Sequence, residues 1–255
     1  MKGISKNINQ LLLNVPRGSV ITGSWLNSNG INYRLQHHYS RASGLLKRIG
    51  VGAYILNSTA NDVEIEGALY ALQSQLHLNL NIGALSALNI HNTRHFIPFS
   101  DTKLQVFGSN KLHIPLWFTK NFGHKYEVHK AHFLSDNTGI QLINYRGFEL
   151  FVSSPERAIM ESIFLCPNKI SLREIAQIME TMTNLRPNLL QELLIKCSFI
   201  KVKRIFLYLA EKQKHSWYDF IDLKNVELGS GKRVVNPGGK LDKKYLIVID
   251  DLSEI

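Results

Sequence analysis

The sequence predicts an α+β protein in which an N-terminal winged helix-turn-helix precedes a larger α+β domain, and three observations carry that reading. The 255 residues, 44% of them apolar, suffice for one large core or two modest ones. The first 61 residues hold seven cations, Lys2, Lys6, Arg17, Arg34, Arg41, Lys47 and Arg48, and no Asp or Glu occurs before Asp62. Within that basic segment, Pro, Gly and Asn punctuate three short helices followed by a hairpin. The predicted division is a winged-helix DNA-binding domain over 1–60 and a C-terminal α+β domain over 61–255.

The first helix spans roughly Lys6 to Val15, with Ile8, Leu11, Leu12 and Val15 on one face, and stops before Pro16-Arg17-Gly18. Thr22 is placed to cap a second helix carrying Trp25 and Leu26, which Asn29-Gly30 closes in a left-handed turn. Asn32 then caps a third helix from Tyr33 to about Ser43, ended by Gly44. Leu45 to Ile55 reads as a β-hairpin with basic and glycine residues near its tip.

At about 100° per residue the third helix sorts into two faces. Leu35, Tyr39 and Ala42 share a sector that suits packing, whereas Arg34, His37, His38 and Arg41 share the neighbouring one, flanked by Tyr33, Gln36 and Ser40. Arg pairs in bidentate fashion with guanine and Gln with adenine, while His and Ser serve bases or phosphates, so this is the chemistry of a recognition helix. Lys47 and Arg48 are placed at the wing to meet the backbone or the minor groove. A single-sign segment of this length builds a potential that attracts phosphates, and the formal charge of +10 for the whole chain points the same way.

From Asp62 onward the pattern predicts helices near Glu64 to Leu76 and Gly83 to Ile90, then strands near Leu104 to Phe107, Lys125 to His132, Ile140 to Asn144 and Phe148 to Val152, the last two joined by a turn at Tyr145-Arg146-Gly147. Ser154-Pro155 starts a helix that runs to about Leu165. Further helices are expected at Ser171 to Met182, Pro187 to Ser198 and Val202 to Lys212, then strands at Val226 to Leu228 and Tyr245 to Ile249. Glu156 suits the positive end of its helix, while Arg157 beside it does not, so Arg157 is expected to hold a buried carboxylate such as Glu161.

Several blocks carry a family resemblance. Pro16 to Thr22, Gly30-Ile31, Gly44 to Tyr54, Gly67 to Gln73, Gly83 to Leu88, Pro115-Leu116-Trp117, Ser154 to Glu161 and Leu228 to Arg233, in this order and spacing, resemble the AbiEi antitoxins of type IV toxin-antitoxin, or abortive-infection, systems. The resemblance implies a transcriptional autorepressor that binds inverted-repeat operator DNA through its winged helix. It also implies an antitoxin that counters a nucleotidyltransferase toxin, in general without a stable complex, and it marks Ser154, Pro155, Glu156, Arg157 and Glu161 as the motif of the C-terminal antitoxin domain. A protein of this kind is not an enzyme and needs no cofactor. The alternative is a nucleic-acid-processing enzyme, such as a nuclease, whose winged helix delivers substrate.

Other patterns offer less. Gly229-Ser230-Gly231-Lys232-Arg233 lacks the first glycine of a phosphate loop at the right spacing and has Arg where Ser or Thr would hold magnesium, so it reads as a basic glycine turn. Its cations, with Lys240, Lys243 and Lys244, form either a second anion-binding surface or a set of solvated lysines. His129 and His132 fall on opposite faces of a strand and no Cys or carboxylate completes a set with His124, so no metal site is expected. Cys166 and Cys197 are far apart and read as buried reduced thiols. No apolar run approaches the roughly 18 residues of a membrane span, and the start lacks the apolar region of a signal peptide, so a cytoplasmic protein is expected.

Overall fold

In the computed structural model, residue 8 and residues 10–91, 103–135 and 137–250 are described. The chain forms two compact units, one of Met1–Leu80, Lys111–Glu127 and Leu142–Phe151 and a second of Asn81–Asn110, Val128–Gln141 and Val152–Ile255.

In the first unit, residues 8 and 10–12 are helical and give way to a turn at 13–14; Lys6, Asn7 and Asn9 lie outside the described residues. A two-residue strand absent from the sequence-based expectation, β1 (Ile21–Thr22), leads directly into α1 (Gly23–Ser28), and the Thr22 hydroxyl accepts from Trp25 N at 3.3 Å as the helix cap. Gly30, at φ +83°, closes that helix in the left-handed region. The Asn32 side chain then accepts from Leu35 N at 3.1 Å to start α2 (Tyr33–Arg41). β2 (Leu46–Gly50) and β3 (Ala53–Leu56) make an antiparallel hairpin, and β1 pairs with the free side of β3 to give the order β1-β3-β2. Helix, strand, two helices and a hairpin in this connectivity are a winged helix-turn-helix. Ile8, Leu12, Ile21, Leu26, Ile31, Tyr39, Leu46 and Tyr54 form its core, each large apolar side chain contributing about 1.5–3 kcal/mol relative to exposure.

After a 3₁₀ segment at Asn57–Asp62, α3 (Ile65–Tyr70) widens into a π-helical turn at Ala71–Gln75. The wider turn aims two buried glutamines at two strands. Gln73 bonds the Leu80 and Phe151 carbonyls and the Phe151 amide, whereas Gln75 accepts from Thr22 N at 2.8 Å and donates to the Val20 carbonyl at 2.9 Å. Both thus satisfy backbone that has no ladder partner at that point.

Next come β4 (Leu80–Ile82), α4 (Ala84–Ile90), β5 (Leu104–Gly108), α5 (Leu116–Phe122), β6 (Tyr126–Lys130), β7 (Ile140–Tyr145) and β8 (Phe148–Ser153). The five strands lie in the order β6-β5-β4-β8-β7, with β4 parallel to β8 through the Ile82 and Val152 pair. The β7–β8 turn falls at Arg146 and Gly147, both at positive φ.

The second unit is organised on α6 (Pro155–Leu165), which packs against α4, α7 (Leu172–Glu180), α8 (Pro187–Lys196) and α9 (Ile200–Lys212). Its core includes Ile159, Ile163, Ile175, Met179, Leu190, Leu194, Ile205 and Phe206. A small sheet follows, β9 (Arg233–Val234), β10 (Lys240–Asp242) and β11 (Ile247–Ile249), in the order β10-β11-β9. The strand expected at Val226 to Leu228 does not form. The Leu228 carbonyl goes instead to the buried Arg204 guanidinium at 2.8 Å, which removes it from any ladder.

Cys166 and Cys197 are free and buried. Burial pushes both thiols up to about 11, against a smaller opposing pull from Lys201 on the first and from the Phe199 backbone and Lys203 on the second. Since the thiolate is the reactive form, neither cysteine is expected to react with a disulfide reagent at pH 8 in the folded protein, and both should react in urea. Rapid labelling without denaturant would contradict this burial.

Candidate nucleic-acid interface

The chain builds the exposed face of α2 by fixing the helix from beneath. Tyr39 enters the core, and Gln36, only 4% exposed, donates through its amide to the Gly23 carbonyl at 3.0 Å and the Ile31 carbonyl at 2.8 Å. This corrects the expectation that Gln36 flanks the exposed sector: its amide hydrogens serve the helix-turn-helix, and it is not available to a base. The approach is close at position 23, where an added Cβ would lie 3.0 Å from the Gln36 carbonyl oxygen and 3.3 Å from Gly52 Cα. Ala42, expected on the packed side, is exposed. The remaining calculation by angle agrees with the structure: Tyr33, Arg34, His37, His38 and Arg41 are exposed, with Leu35 half-buried. His38 and Arg41 stand in the last turn, where the helix dipole favours cations.

Lys47 and Arg48 are both exposed on β2, but the period of two in a strand sends them to opposite faces. Arg48 is paired with Tyr54 and shares its face, whereas Lys47 is paired with Ile55. Burial pushes the Tyr54 phenol up; Arg48 pulls it down and Tyr33 raises it further. The Tyr54 phenol thus senses the charge of Arg48 from within the hairpin and that of Tyr33 from the start of α2. Arg48 is also held by its Nε donating to the Gly50 carbonyl at 3.0 Å.

One support of this surface escaped sequence reasoning. α5 packs against the wing, with Trp117 so close to Gly50 that an added Cβ there would lie 2.5 Å from Trp117 Cβ, and Asn121 Nδ2 donates to the Ile49 carbonyl at 3.1 Å. The available signal was proline ahead of an aromatic-rich stretch, Pro115-Leu116-Trp117-Phe118.

The 154–161 motif lies inside the second unit. Ser154, Glu156, Arg157 and Glu161 are buried and Pro155 is half-buried. Arg157 Nε donates to Glu161 at 2.8 Å, and its Nη1 donates to the Ser135 and Thr138 carbonyls at 2.6 and 2.8 Å. Glu161 also accepts from the Ser153 hydroxyl at 2.8 Å, from Ala84 N at 3.0 Å and from Asn81 Nδ2 at 3.4 Å. Glu156 takes Arg186 in a bidentate pair at 2.9 Å and accepts its backbone N–H at 3.0 Å. Burial raises the Glu156 carboxyl, but the Arg186 bonds outweigh it and hold the group below its ordinary range. In this geometry the motif ties α6 to the start of α4, to β8 and to α8.

Two family profiles match the chain. One, described as the AbiEi antitoxin N-terminal domain of a transcriptional regulator, matches residues 4–99. The other, described as a transcriptional regulator, AbiEi antitoxin, type IV TA system, matches residues 101–250. The chain belongs to the AbiEi antitoxin family. Among solved structures, the AbiEi chain is similar to the crystal structure of the RV2827C protein from Mycobacterium tuberculosis, at 12% identity and a TM-score of 0.57, over 95% of this chain and 90% of that one. That likeness is one of fold. No curated protein matches this AbiEi sequence. Among the described residues, no helix is long and apolar enough to cross a membrane.

Proposed function

We propose that this AbiEi protein represses its own toxin-antitoxin operon by binding inverted-repeat operator DNA through α2 and the wing, and that it opposes a nucleotidyltransferase toxin without forming a stable complex with it. The observation that carries DNA binding is the exposed sector Arg34, His37, His38 and Arg41 on a helix locked from below, with Tyr33 also exposed on α2 and Arg48 exposed on the wing. Forked guanidiniums on a rigid helix read guanine, and cations on the wing hold phosphates. The antitoxin role and the toxin's class rest on family membership. Acting as a regulator and not as an enzyme, the protein works in the cytoplasm, beside its DNA.

Replacing Arg34 and Arg41 together with Ala is expected to weaken binding to the DNA upstream of the operon by more than about 2 kcal/mol, from roughly 1–3 kcal/mol per good base contact. Fluorescence anisotropy with a labelled duplex reads this, and circular dichroism checks the fold. Wild-type affinity in the folded double variant refutes the recognition-helix assignment. Substituting Arg48 is expected to lower the salt slope by about one, and substituting Lys47, on the other face of the hairpin, by less.

A further inference from the structure

The geometry points to a phosphate-binding loop at Gly229–Lys232 in the second unit, separate from the winged helix. The observation beneath it is Arg204 on α9, a guanidinium 1% exposed whose partners are all neutral carbonyls: Leu228 at 2.8 Å, Gly229 at 3.0 Å, and Gly231 and Leu246 at 2.6 and 3.2 Å. Beside it on the helix, Lys203 is also buried and donates to the Glu227 carbonyl at 2.9 Å. Among the described residues neither cation has an acid partner. Two buried cations that only carbonyl dipoles offset leave positive charge beneath this loop.

The same bonds orient the loop's outer side. A planar trans peptide points its C=O and the next N–H in opposite directions. With the carbonyls of Leu228, Gly229 and Gly231 turned inward to Arg204, the N–H groups of Gly229, Ser230 and Lys232 turn outward. No acceptor among the described residues takes these N–H groups, and the loop from Gly229 to Lys232 is exposed. Gly229 and Gly231 have φ of +60° and +74° while Ser230 and Lys232 do not have positive φ, an alternation that curves successive amides into a concave anion cradle. Lys232 and Arg233 are exposed at its rim, and Arg233 lies close enough to disfavour the charge on Arg204.

Tetrahedral oxyanions match this arrangement: several outward amides, two exposed cations at the rim, of which Arg233 donates to the Lys232 carbonyl at 3.2 Å, and a buried one behind. Since Arg233 stands where a phosphate loop would carry a magnesium-binding hydroxyl, phosphate binding here is independent of magnesium. The phosphate belongs either to a free small ligand or to a nucleic-acid backbone. This inference does not depend on the winged-helix reading.

The test is amide NMR on the full ¹⁵N-labelled chain carrying Arg34→Ala, Arg41→Ala, Lys47→Ala and Arg48→Ala, so that the cations of the proposed DNA interface contribute nothing. Titration with inorganic phosphate without magnesium is expected to shift Gly229, Ser230 and Lys232 saturably, and chloride at equal ionic strength is not. Lys232→Ala with Arg233→Ala is expected to weaken that binding roughly tenfold, as loss of charged hydrogen bonds predicts. A short oligonucleotide shifting the same amides at lower concentration assigns the phosphate to nucleic acid; shifts with inorganic phosphate alone assign it to a small ligand. Absence of saturable shifts, equal shifts in chloride, or unchanged affinity in the Lys232/Arg233 variant overturns the proposal.

Discussion

Glu161→Ala is expected to destabilise the second unit by about 3–5 kcal/mol, the usual effect of removing one partner of a buried ion pair. At roughly 2–4 °C per kcal/mol for a protein of this size, the midpoint in thermal denaturation falls by on the order of 10 °C. The magnitude follows from what is left behind. Glu161 is 0% exposed, and its loss strands the Arg157 Nε, the Ser153 hydroxyl and the Ala84 amide in the interior. In the wild-type protein the carboxylate is seated directly against Gly83, where an added Cβ would lie 2.3 Å from its oxygen. Glu161→Gln keeps the shape but turns a donor toward donors, and is expected to fall between Ala and wild type. Replacing both Arg157 and Glu161 with apolar residues of similar size is expected to be less harmful than either single change. A Glu161→Ala midpoint equal to that of wild type refutes this account of the motif.

The motif also shows where sequence reading stops. Arg157 and Glu161 are four residues apart on a helix, so their pairing follows from the periodicity alone. The other partners, Asn81, Ala84, Ser153 and the Ser135 and Thr138 carbonyls, come from distant segments that no local pattern connects. The winged helix was legible for the opposite reason: Thr22, Gly30, Asn32 and Gly44 act on their immediate neighbours, and their caps and turns stand where expected. β1 and β4, of two and three residues, are too short to show any alternation. Helix angle puts Gln36 beside the exposed sector, whereas its burial depends on the carbonyls of Gly23 and Ile31 on another helix and a turn. Nothing local marks Arg204, since an arginine in an amphipathic helix normally faces water, and only the later loop at 228–231 explains its burial.

Trp117→Ala is the second large effect, and it links stability to the proposed DNA contact. Trp117 is 5% exposed and stands edge-on to Phe118 at 5.7 Å between ring centroids, while its Cα and Cβ abut Gly50 at the end of β2. Truncating a buried tryptophan costs about 3–5 kcal/mol, here taken from the first unit and read as a lower midpoint in denaturant with the slope unchanged. Ala keeps the Cα and Cβ that abut Gly50, but loss of the ring loosens the seating of α5 and, through it, of the wing that carries Arg48. Operator affinity is expected to fall although every cation of the interface remains, and by less than in the Arg34→Ala and Arg41→Ala double variant, because α2 keeps its Gln36 and Tyr39 anchors. Trp117→Phe, which keeps an aromatic ring in the seat of α5, is expected to restore most of the affinity and part of the stability. If Trp117→Ala loses stability while operator affinity and its salt slope stay at wild-type values in the folded protein, then α5 only fills the core, and the wing does not depend on it to present Arg48.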